Sequence, residues 1–311
     1  MIDHIKLSIF YQSIIDRLLH HQDFITCTPL NRNYHSFSHK NISTKLRFDF
    51  RKAIEKGKIV GYHHVEVNIF PHYHFNKYRH NGNDFNPTQC ITAIKEILSL
   101  IGIERSEYIE LNITNLEFGI NLRPSINVKT LINNLLYSTR TKFIIPDAKL
   151  IYSKLSDSSS FKQIKVYAKG IHCHEQLKVS EVDINTFRFE IKSKQAKYIN
   201  KLRIKNVNDL LNVKIYDLLM QEIIKEWQNI LILTPHLNLE GLKPTEIKFI
   251  DRVNNIQYWN ELISYEKNRN KYNNYKKKYN RILKNVNGFH YQIESLIRCK
   301  FLFFQSKTDF I

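Results

Sequence analysis

Polar and apolar residues alternate with a period of two in many segments before residue 206. Alternation of this kind is typical of strands with one buried face. It predicts strands at IKLSIF (5–10), LRFDF (46–50), HHVEVNIF (63–70), YIELNITNLEFGINL (108–122) and NTFRFEIK (185–192). It also predicts a hairpin formed by KLIYSKL (149–155) and FKQIKVYAKGIH (161–172) around the Ser-rich turn SDSSS.

In other segments apolar residues recur every three or four positions, which predicts helices. This pattern occurs in QSIIDRLLHH (12–21), VKTLINNLLYS (128–138), the apolar segment 209–233 and the long segment 244–300. A further helix is expected to begin at Asn86-Pro87-Thr88, because Pro suits the first helical turn, and to end at Gly102. From about Val207 onward only helices are expected.

The order of these elements indicates an α+β protein. A strand, a hairpin and a helix follow one another twice, which favours a central antiparallel sheet built from two similar halves. We therefore expect an α+β domain over residues 1–205 and an all-helical, basic C-terminal region over residues 206–311.

The composition is that of a folded and strongly basic protein. Hydrophobic residues make up 42% of the 311 residues, which excludes a disordered chain. Lys and Arg number 47 against 29 Asp and Glu, a net charge of +18. An AT-rich genome would raise Lys and Glu together, so the excess of one sign favours a polyanionic partner such as nucleic acid.

The cysteines and the N-terminal segment predict a cytoplasmic protein. Four cysteines are scattered without a C-x-x-C pair, as suits a reducing compartment: Cys27, Cys90, Cys173 and Cys299. Asp3, His4 and Lys6 interrupt the apolar start, so it does not resemble a signal peptide. No run reaches the roughly 18 apolar residues of a membrane span, so we expect no membrane association.

Tyrosines and lysines mark the last helical segment. Tyr258, Tyr265, Tyr272 and Tyr279 recur at intervals of seven, and residues 267–281 hold seven positive charges without an acid. The tyrosines fit either a stripe packed on the domain or rings that stack on DNA bases. We expect Lys276, Lys277 and Lys278 to contact DNA phosphates.

The stretch FPHYHFNKYRHNGNDF (70–85) offers a possible metal site. On a strand, His72 and His74 would point to one face and could share a divalent ion. Pro71 and the following Asn-Gly-Asn-Asp indicate that the strand is ending, so a surface role is the alternative. A second pair, His172 and His174 in IHCHE, shows that the pattern arises easily, and these residues with Cys173 form a less favoured metal site.

A second candidate site is spread over three predicted strands. Strand alternation places Glu117, Glu190 and Arg188 on the polar face of the sheet, and Tyr167 and Lys169 share one face of their own strand. Carboxylates clustered on one face bind Mg²⁺ or Mn²⁺, and a nearby phenol could attack a phosphodiester. The alternative is that these residues form ordinary cross-strand pairs.

Four segments together resemble a known family. KYRHNGNDF (77–85), ITNLEFGINLRP (113–124), IKVYAKGIH (164–172) and NTFRFEIK (185–192) occur in that order. They are similar to motifs of the replication initiators of small phages and plasmids, most closely a Bacteroidetes-type group. Wider relatives are the filamentous-phage gene II proteins and the plasmid trans-acting Rep proteins. The resemblance covers roughly residues 60–215.

The resemblance implies a rolling-circle replication initiator that nicks and joins DNA. Tyr167 would be the nucleophile, forming a 5′-phosphotyrosine and releasing a 3′-OH, and Lys169 would neutralise the phosphate or position the tyrosine. Glu117 and Glu190 would hold Mg²⁺ or Mn²⁺, and Arg188 would pair with phosphate or with an acid.

The resemblance also implies partners and raises one alternative. Lys77, Arg79 and Asn81 would contact the phosphates of a single-stranded or hairpin origin, and the host helicase or polymerase would be further partners. Ala168 stands where the family has Asp after the tyrosine. A non-catalytic DNA-binding accessory or regulatory protein on the same scaffold is therefore the alternative.

Overall fold

A computed structural model describes residues 1–28, 31–147, 152–157, 159–265 and 269–307. The strands are β1 (Ile2–Ile9), β2 (Phe24–Thr26), β3 (Tyr34–His39), β4 (Ser43–Glu55), β5 (Lys58–Ile69), β6 (Asn112–Leu122), β7 (Leu135–Ser138), β8 (Thr141–Lys142), β9 (Ser153–Ser156), β10 (Lys162–Ala168), β11 (Phe187–Ser193) and β12 (Ile230–Ile232). Residues 149–151 of the expected hairpin and residues 267–268 of the basic segment lie outside the described residues.

The α-helices lie between and after these strands. They are α1 (Gln12–Leu19), α2 (Pro71–Phe75), α3 (Pro87–Leu100), α4 (Val128–Asn133), α5 (Lys169–Glu175), α6 (Ala196–Lys201), α7 (Val213–Gln228), α8 (Pro244–Val253), α9 (Ile256–Tyr265), α10 (Arg269–Asn285) and α11 (Phe289–Ser306). Short 3₁₀ helices span Arg105–Glu110 and Val207–Leu211. None of the helices in the described ranges has the length and hydrophobicity that crossing a membrane requires.

Nine strands form one large antiparallel sheet. Their order is β2-β3-β4-β5-β1-β6-β11-β10-β9. The strands of the first half of the domain, β1 to β5, lie on one side of the sheet, and β6, β9, β10 and β11 lie on the other. Strands β1 and β6 pair in the middle. The expected α+β fold with a large antiparallel sheet is confirmed, and the similarity of its two halves stays a prediction.

Helices cover one face of this sheet and leave the other face to polar side chains. Leu7 of β1, Ile94 of α3, Trp227 of α7 and Ile297 of α11 belong to the same buried core. On β10 the buried residues Ile164, Val166 and Ala168 alternate with the partly buried Lys165 and Tyr167. The strand period of two therefore separates a core face from a face that is free for chemistry.

The helix that begins at Asn86 follows the sequence prediction closely. The Asn86 side chain accepts a hydrogen bond from the Gln89 backbone, and the Gln89 side chain accepts one from the Asn86 backbone. Pro87 occupies the first turn, and Gly102 follows the helix with a φ of 71°. This capping box anchors α3 directly after the loop that carries Asn81.

A second core organises the C-terminal region. Tyr272 and Tyr279 are fully buried and pack edge-on against Trp259. Tyr272 and Tyr279 are thus packing residues of this core and are not available to stack on bases, whereas the side chain of Tyr265 lies outside the described part of the structure. Leu231 of β12 and Tyr137 of β7 join this core.

Two predicted helices are shorter than expected, because each ends in a strand. Residues 135–138 form β7 and residues 230–232 form β12, and these two strands pair with each other. The region after residue 206 is therefore mostly, but not entirely, helical. Helices α7 and α11 pack in the main core, and the boundary at residue 205 stays a prediction.

Gly119 fixes the close approach of β6 and β11, and its substitution tests this packing. A Cβ atom there would lie 2.4 Å from the Phe189 carbonyl oxygen, whereas one at Gly61 of β5 would meet nothing within 4 Å. We expect Gly119→Ala to lower the free energy of unfolding by about 1–3 kcal/mol and Gly61→Ala to change it by less than about 0.5 kcal/mol. Urea denaturation measures both, and equal effects would contradict this packing.

Candidate active site

The polar face of the sheet opens into a cavity of about 730 Å³. The cavity lies where β1, β6, β10 and β11 meet helix α5. Its polar lining consists mainly of Asp3, His4, Asn81, Glu117, Lys165, Tyr167, Lys169, His172 and Glu190. Four residues that the sequence assigned to the chemistry are therefore brought together: Tyr167, Lys169, Glu117 and Glu190.

Tyr167 and Glu190 form the pair closest to a reactive arrangement. The half-buried Tyr167 donates a hydrogen bond from its hydroxyl to Glu190 Oε2 at 3.3 Å. Burial, and then the charge of Glu190, raise the pKa of Tyr167 well above its ordinary value. Burial also raises the pKa of Glu190. The phenol is thus neutral at neutral pH and lies beside a carboxylate able to accept its proton.

Arg188 is buried beneath this pair. Its guanidinium donates to Asp3, to Asn121 Oδ1 at 2.8 Å and to Glu190 Oε2 at 3.2 Å. Burial opposes ionisation of Asp3, but Arg188 outweighs it, with help from His72, and holds the pKa of Asp3 well below its ordinary range. Arg188 therefore pairs with acids and is not exposed to a phosphate.

Lys165 lies between the two predicted metal ligands. Its Nζ is 3.4 Å from Glu117 Oε2 and 3.3 Å from Glu190 Oε1. Glu117 has two more neighbours. Lys192 Nζ lies 2.7 Å from Glu117 Oε1, and His4 Nδ1 lies 4.0 Å from the same oxygen. Burial raises the pKa of Glu117, but Lys165 and Lys192 outweigh this effect and hold it below the ordinary value.

This donor set does not fit the Mg²⁺ or Mn²⁺ ion that the sequence predicted. A hard cation needs carboxylate oxygens that converge on open space, and here an ammonium already bridges them. In the described ranges no three His, Cys, Asp or Glu side chains form a group able to hold a metal. The ion stays a prediction from the resemblance, and no step proposed below uses it.

Lys169 is a buried cation without an ion-pair partner. It is the first residue of α5 and 1% exposed. Its ammonium lies 5.7 Å from the Tyr167 ring centre and 5.9 Å from that of Tyr73, and no described residue accepts a hydrogen bond from it or forms an ion pair with it. Burial lowers its pKa to about 8. Asn81 Oδ1 and His172 Nδ1 are also buried without a hydrogen-bond partner in the described structure. All three residues line the cavity. The Lys169 ammonium is a donor for an anionic ligand, whereas Asn81 Oδ1 can only accept a hydrogen bond and would face a donor group of the ligand.

The two histidines of PHYHF are not a metal pair. The segment is helix α2 and not a strand, so side chains two positions apart point in different directions. His72 contacts Asp3 and Asn83, whereas His74 contacts Tyr78 and Glu96. His72 instead supports Asp3 beneath the cavity.

The alternative metal site at residues 172–174 is likewise built on a helix. His172, Cys173 and His174 belong to α5 and not to a strand. His174 Nε2 hydrogen-bonds the Val182 carbonyl, and Cys173 is buried in a small apolar cluster. Only His172 of the three lines the cavity.

The predicted DNA contacts differ in accessibility. Lys77 is exposed, and exposed Arg79 pairs with Glu181 at 3.0 Å. Lys276 is buried and donates to the Asn229 carbonyl at the end of α7, so it stabilises the fold and is not available to DNA. Its neighbours Lys277 and Lys278 are exposed.

Sequence reasoning missed three residues of the site, Asp3, His4 and Lys165. Strand alternation could have predicted Lys165, since Lys165 lies two residues before Tyr167 and must point to the same face of the strand. The signal at β1 was hidden because the predicted strand began at Ile5, after both Asp3 and His4.

No family model and no curated protein sequence matches the chain. The resemblance to replication initiators therefore depends on the four motifs. Three of them supply Glu117, Tyr167 and Glu190, which line the same cavity. The function is therefore inferred from the chemistry of the side chains that line the cavity.

The buried ammonium of Lys169 gives a pH-dependent prediction. Its native pKa of about 8 lies below the value of 10.5 in the unfolded chain. Between these values the unfolded state binds more protons, so wild-type stability rises with pH. We expect Lys169→Met to be more stable at pH 7, by up to about 3 kcal/mol, and to lose this advantage toward pH 10.

Urea denaturation from pH 7 to pH 10 measures this difference. Lys77→Met, at an exposed position, is the matched control and is expected to keep the wild-type pH dependence. The same pH dependence in wild type and Lys169→Met would show that the ammonium is paired or solvated.

Proposed function

We propose that this protein is a rolling-circle replication initiator that nicks and rejoins DNA through a phosphotyrosine at Tyr167. The observation that carries the proposal is the Tyr167–Glu190 pair beside the buried, unpaired Lys169 in one cavity. A nucleophile, an adjacent base and a free cation are the three groups that phosphoryl transfer to a protein hydroxyl uses.

In the proposed reaction Tyr167 Oη attacks the phosphorus of one phosphodiester. Glu190 accepts the phenolic proton as the bond from oxygen to phosphorus forms. The bond to the 3′ oxygen breaks, and that oxygen leaves as a 3′-OH after taking a proton from solvent. Lys169 stabilises the negative charge on the phosphate oxygens. Rejoining is the reverse reaction, in which a 3′-OH attacks the phosphotyrosine.

Aromatic rings and lysines at the cavity support a single-stranded substrate. Phe70 and Tyr152 line the cavity and are only partly buried. Lys45 Nζ lies 5.1 Å from the Phe70 ring centre, and Lys129 Nζ lies 4.6 Å from that of Tyr152. Proteins bind unpaired strands with such combinations, because bases stack on rings while ammonium groups meet phosphates.

The position of Ala168 bears on the non-catalytic alternative. Ala168 is buried in the main core with Ile164 and Val166, on the opposite side of β10 from Tyr167. A side chain there does not share the face of the phenol, so the absence of Asp removes no group from beside Tyr167. The alternative, DNA binding without cleavage, predicts affinity for DNA but no covalent product.

A covalent adduct with DNA is the expected product of Tyr167. Single-stranded oligonucleotides labelled at the 3′ end, which tile the DNA flanking the gene, are incubated with the protein and separated on denaturing gels. We expect a protein-linked label with wild type and none with Tyr167→Phe. Glu190→Gln should slow adduct formation by about 10²-fold or more, because it removes the base.

Tyr152→Phe is the matched control, since it keeps the ring that lines the cavity and removes only a hydroxyl that has no hydrogen bond to Glu190. It is expected to form the adduct at nearly the wild-type rate. Adduct formation by Tyr167→Phe would exclude Tyr167 as the nucleophile. If wild type and all variants bind the DNA but none forms an adduct, the non-catalytic alternative is favoured.

The exposed lysines of α10 give a prediction about affinity. Replacing Lys277 and Lys278 with Gln should weaken binding of a labelled single strand of DNA. The slope of the logarithm of the binding constant against the logarithm of the salt concentration should become less negative by about 1 to 1.5. Fluorescence anisotropy at several salt concentrations measures both quantities. Lys214→Gln, on exposed α7 surface, is the control, and an unchanged salt slope would place α10 outside the DNA interface.

A further inference from the structure

The position of Lys165 is set by strand register. Lys165 of β10 is the direct partner of Glu190 on β11, and Lys192 of β11 is the partner of Glu117 on β6. Glu117 and Glu190 are therefore diagonal neighbours on one face, within reach of one long side chain on the third strand. The ammonium reaches both acids because three adjacent strands hold their registers, and not because a surface lysine happens to fold over them.

The bridging geometry is that of a cation site whose cation belongs to the protein. The Lys165 ammonium lies 3.4 Å from one carboxylate and 3.3 Å from the other. An ion that joined Glu117 to Glu190 would have to occupy the same space. We propose that Lys165 is the resident cation of this site and takes the place of a divalent metal ion between Glu117 and Glu190.

The ion-pair cluster around Lys165 leaves no charge deficit for a metal ion to fill. Three carboxylates face three cationic side chains in this cluster: Asp3, Glu117 and Glu190 against Lys165, Arg188 and Lys192. A divalent ion would add two positive charges to a balanced and mostly buried group, which is costly where water is scarce. It could enter only if Lys165 left.

Metal independence of the chemistry follows, and this part depends on the proposed function. Two ammonium groups near the Tyr167–Glu190 pair supply fixed positive charge without a metal ion: Lys165 contacts Glu190, and Lys169 lies 5.7 Å from the Tyr167 ring centre. Preorganised protein cations stabilise a phosphate in the same electrostatic way as a bound metal.

Binding of Mn²⁺ to the purified protein tests the proposal without requiring nuclease activity. Electron paramagnetic resonance of free Mn²⁺ is titrated with wild type, Lys165→Ala and Lys6→Ala. We expect no stoichiometric site in wild type and one new site in Lys165→Ala, with affinity at least about tenfold tighter than any wild-type binding. Adding Glu117→Gln to Lys165→Ala should abolish the new site.

Lys6→Ala is the matched control, because Lys6 lies on the same polar face and pairs at 2.7 Å with one acid, Glu66. It should behave as wild type. If thermal melting shows that Lys165→Ala is unfolded, Lys165→Gln replaces it, since it keeps most of the side-chain length and loses the charge. A wild-type Mn²⁺ site that Glu117→Gln removes would overturn the proposal, as would a folded Lys165 variant that gains no site.

The covalent adduct gives a second readout. Wild type is expected to form the Tyr167 adduct equally well with EDTA and with Mn²⁺. An adduct that requires Mn²⁺ would overturn the resident-cation proposal while leaving the tyrosine mechanism intact. Absence of an adduct under both conditions would contradict the proposed function, and Mn²⁺ binding would then decide the role of Lys165 alone.

Discussion

The buried ion pair between Asp3 and Arg188 is the interaction on which the site depends. Asp3 belongs to the first strand and Arg188 to β11, with β6 between them, so the pair ties the two halves of the sheet together. Removing either side chain would leave the other as an unpaired buried charge, which strongly destabilises a fold. Arg188 also reaches Glu190, and Glu190 reaches Tyr167. The position of the phenol is therefore linked to the join between the halves.

The sheet supplies the geometry and the cations supply the electrostatics. Register across β6, β11 and β10 brings Glu117, Glu190 and Lys165 within one side-chain length, and Gly119 lets two of these strands approach closely. Around the phenol the paired cations fix the acids in place. Among the described residues Lys169 is a buried cavity cation without an ion pair, so the cavity can accept an anion without first breaking one.

Local patterns in the sequence predicted much of this arrangement. Alternation located the strands, and parity placed Tyr167, Glu117 and Glu190 on the polar face, because these strands run without bulges at those positions. Asp3 escaped for a physical reason: Ile2 pairs with Phe118 and His4 with Glu117, so Asp3 is an extra residue at a bulge in β1. A bulge turns a side chain away from the direction that simple alternation predicts.

Other features depend on tertiary contacts that no local pattern encodes. The charge run 276–278 gave no sign that Lys276 is buried against the end of α7. The bridging role of Lys165 depends on the pairing of three strands that are separated in the chain. The prediction that His72 and His74 share one face of a strand was wrong, because the five residues PHYHF, with Pro at the start, fit a short helix as well as a strand.

The central claim, that protein cations and not a metal ion organise the acids beside Tyr167, is tested most directly by crystallography. Wild-type crystals grown with Mn²⁺ would be measured for anomalous scattering at the manganese edge. The account predicts an ordered Lys165 ammonium between Glu117 and Glu190 and no manganese peak there. A manganese peak bound by both carboxylates, with Lys165 turned away, would contradict it.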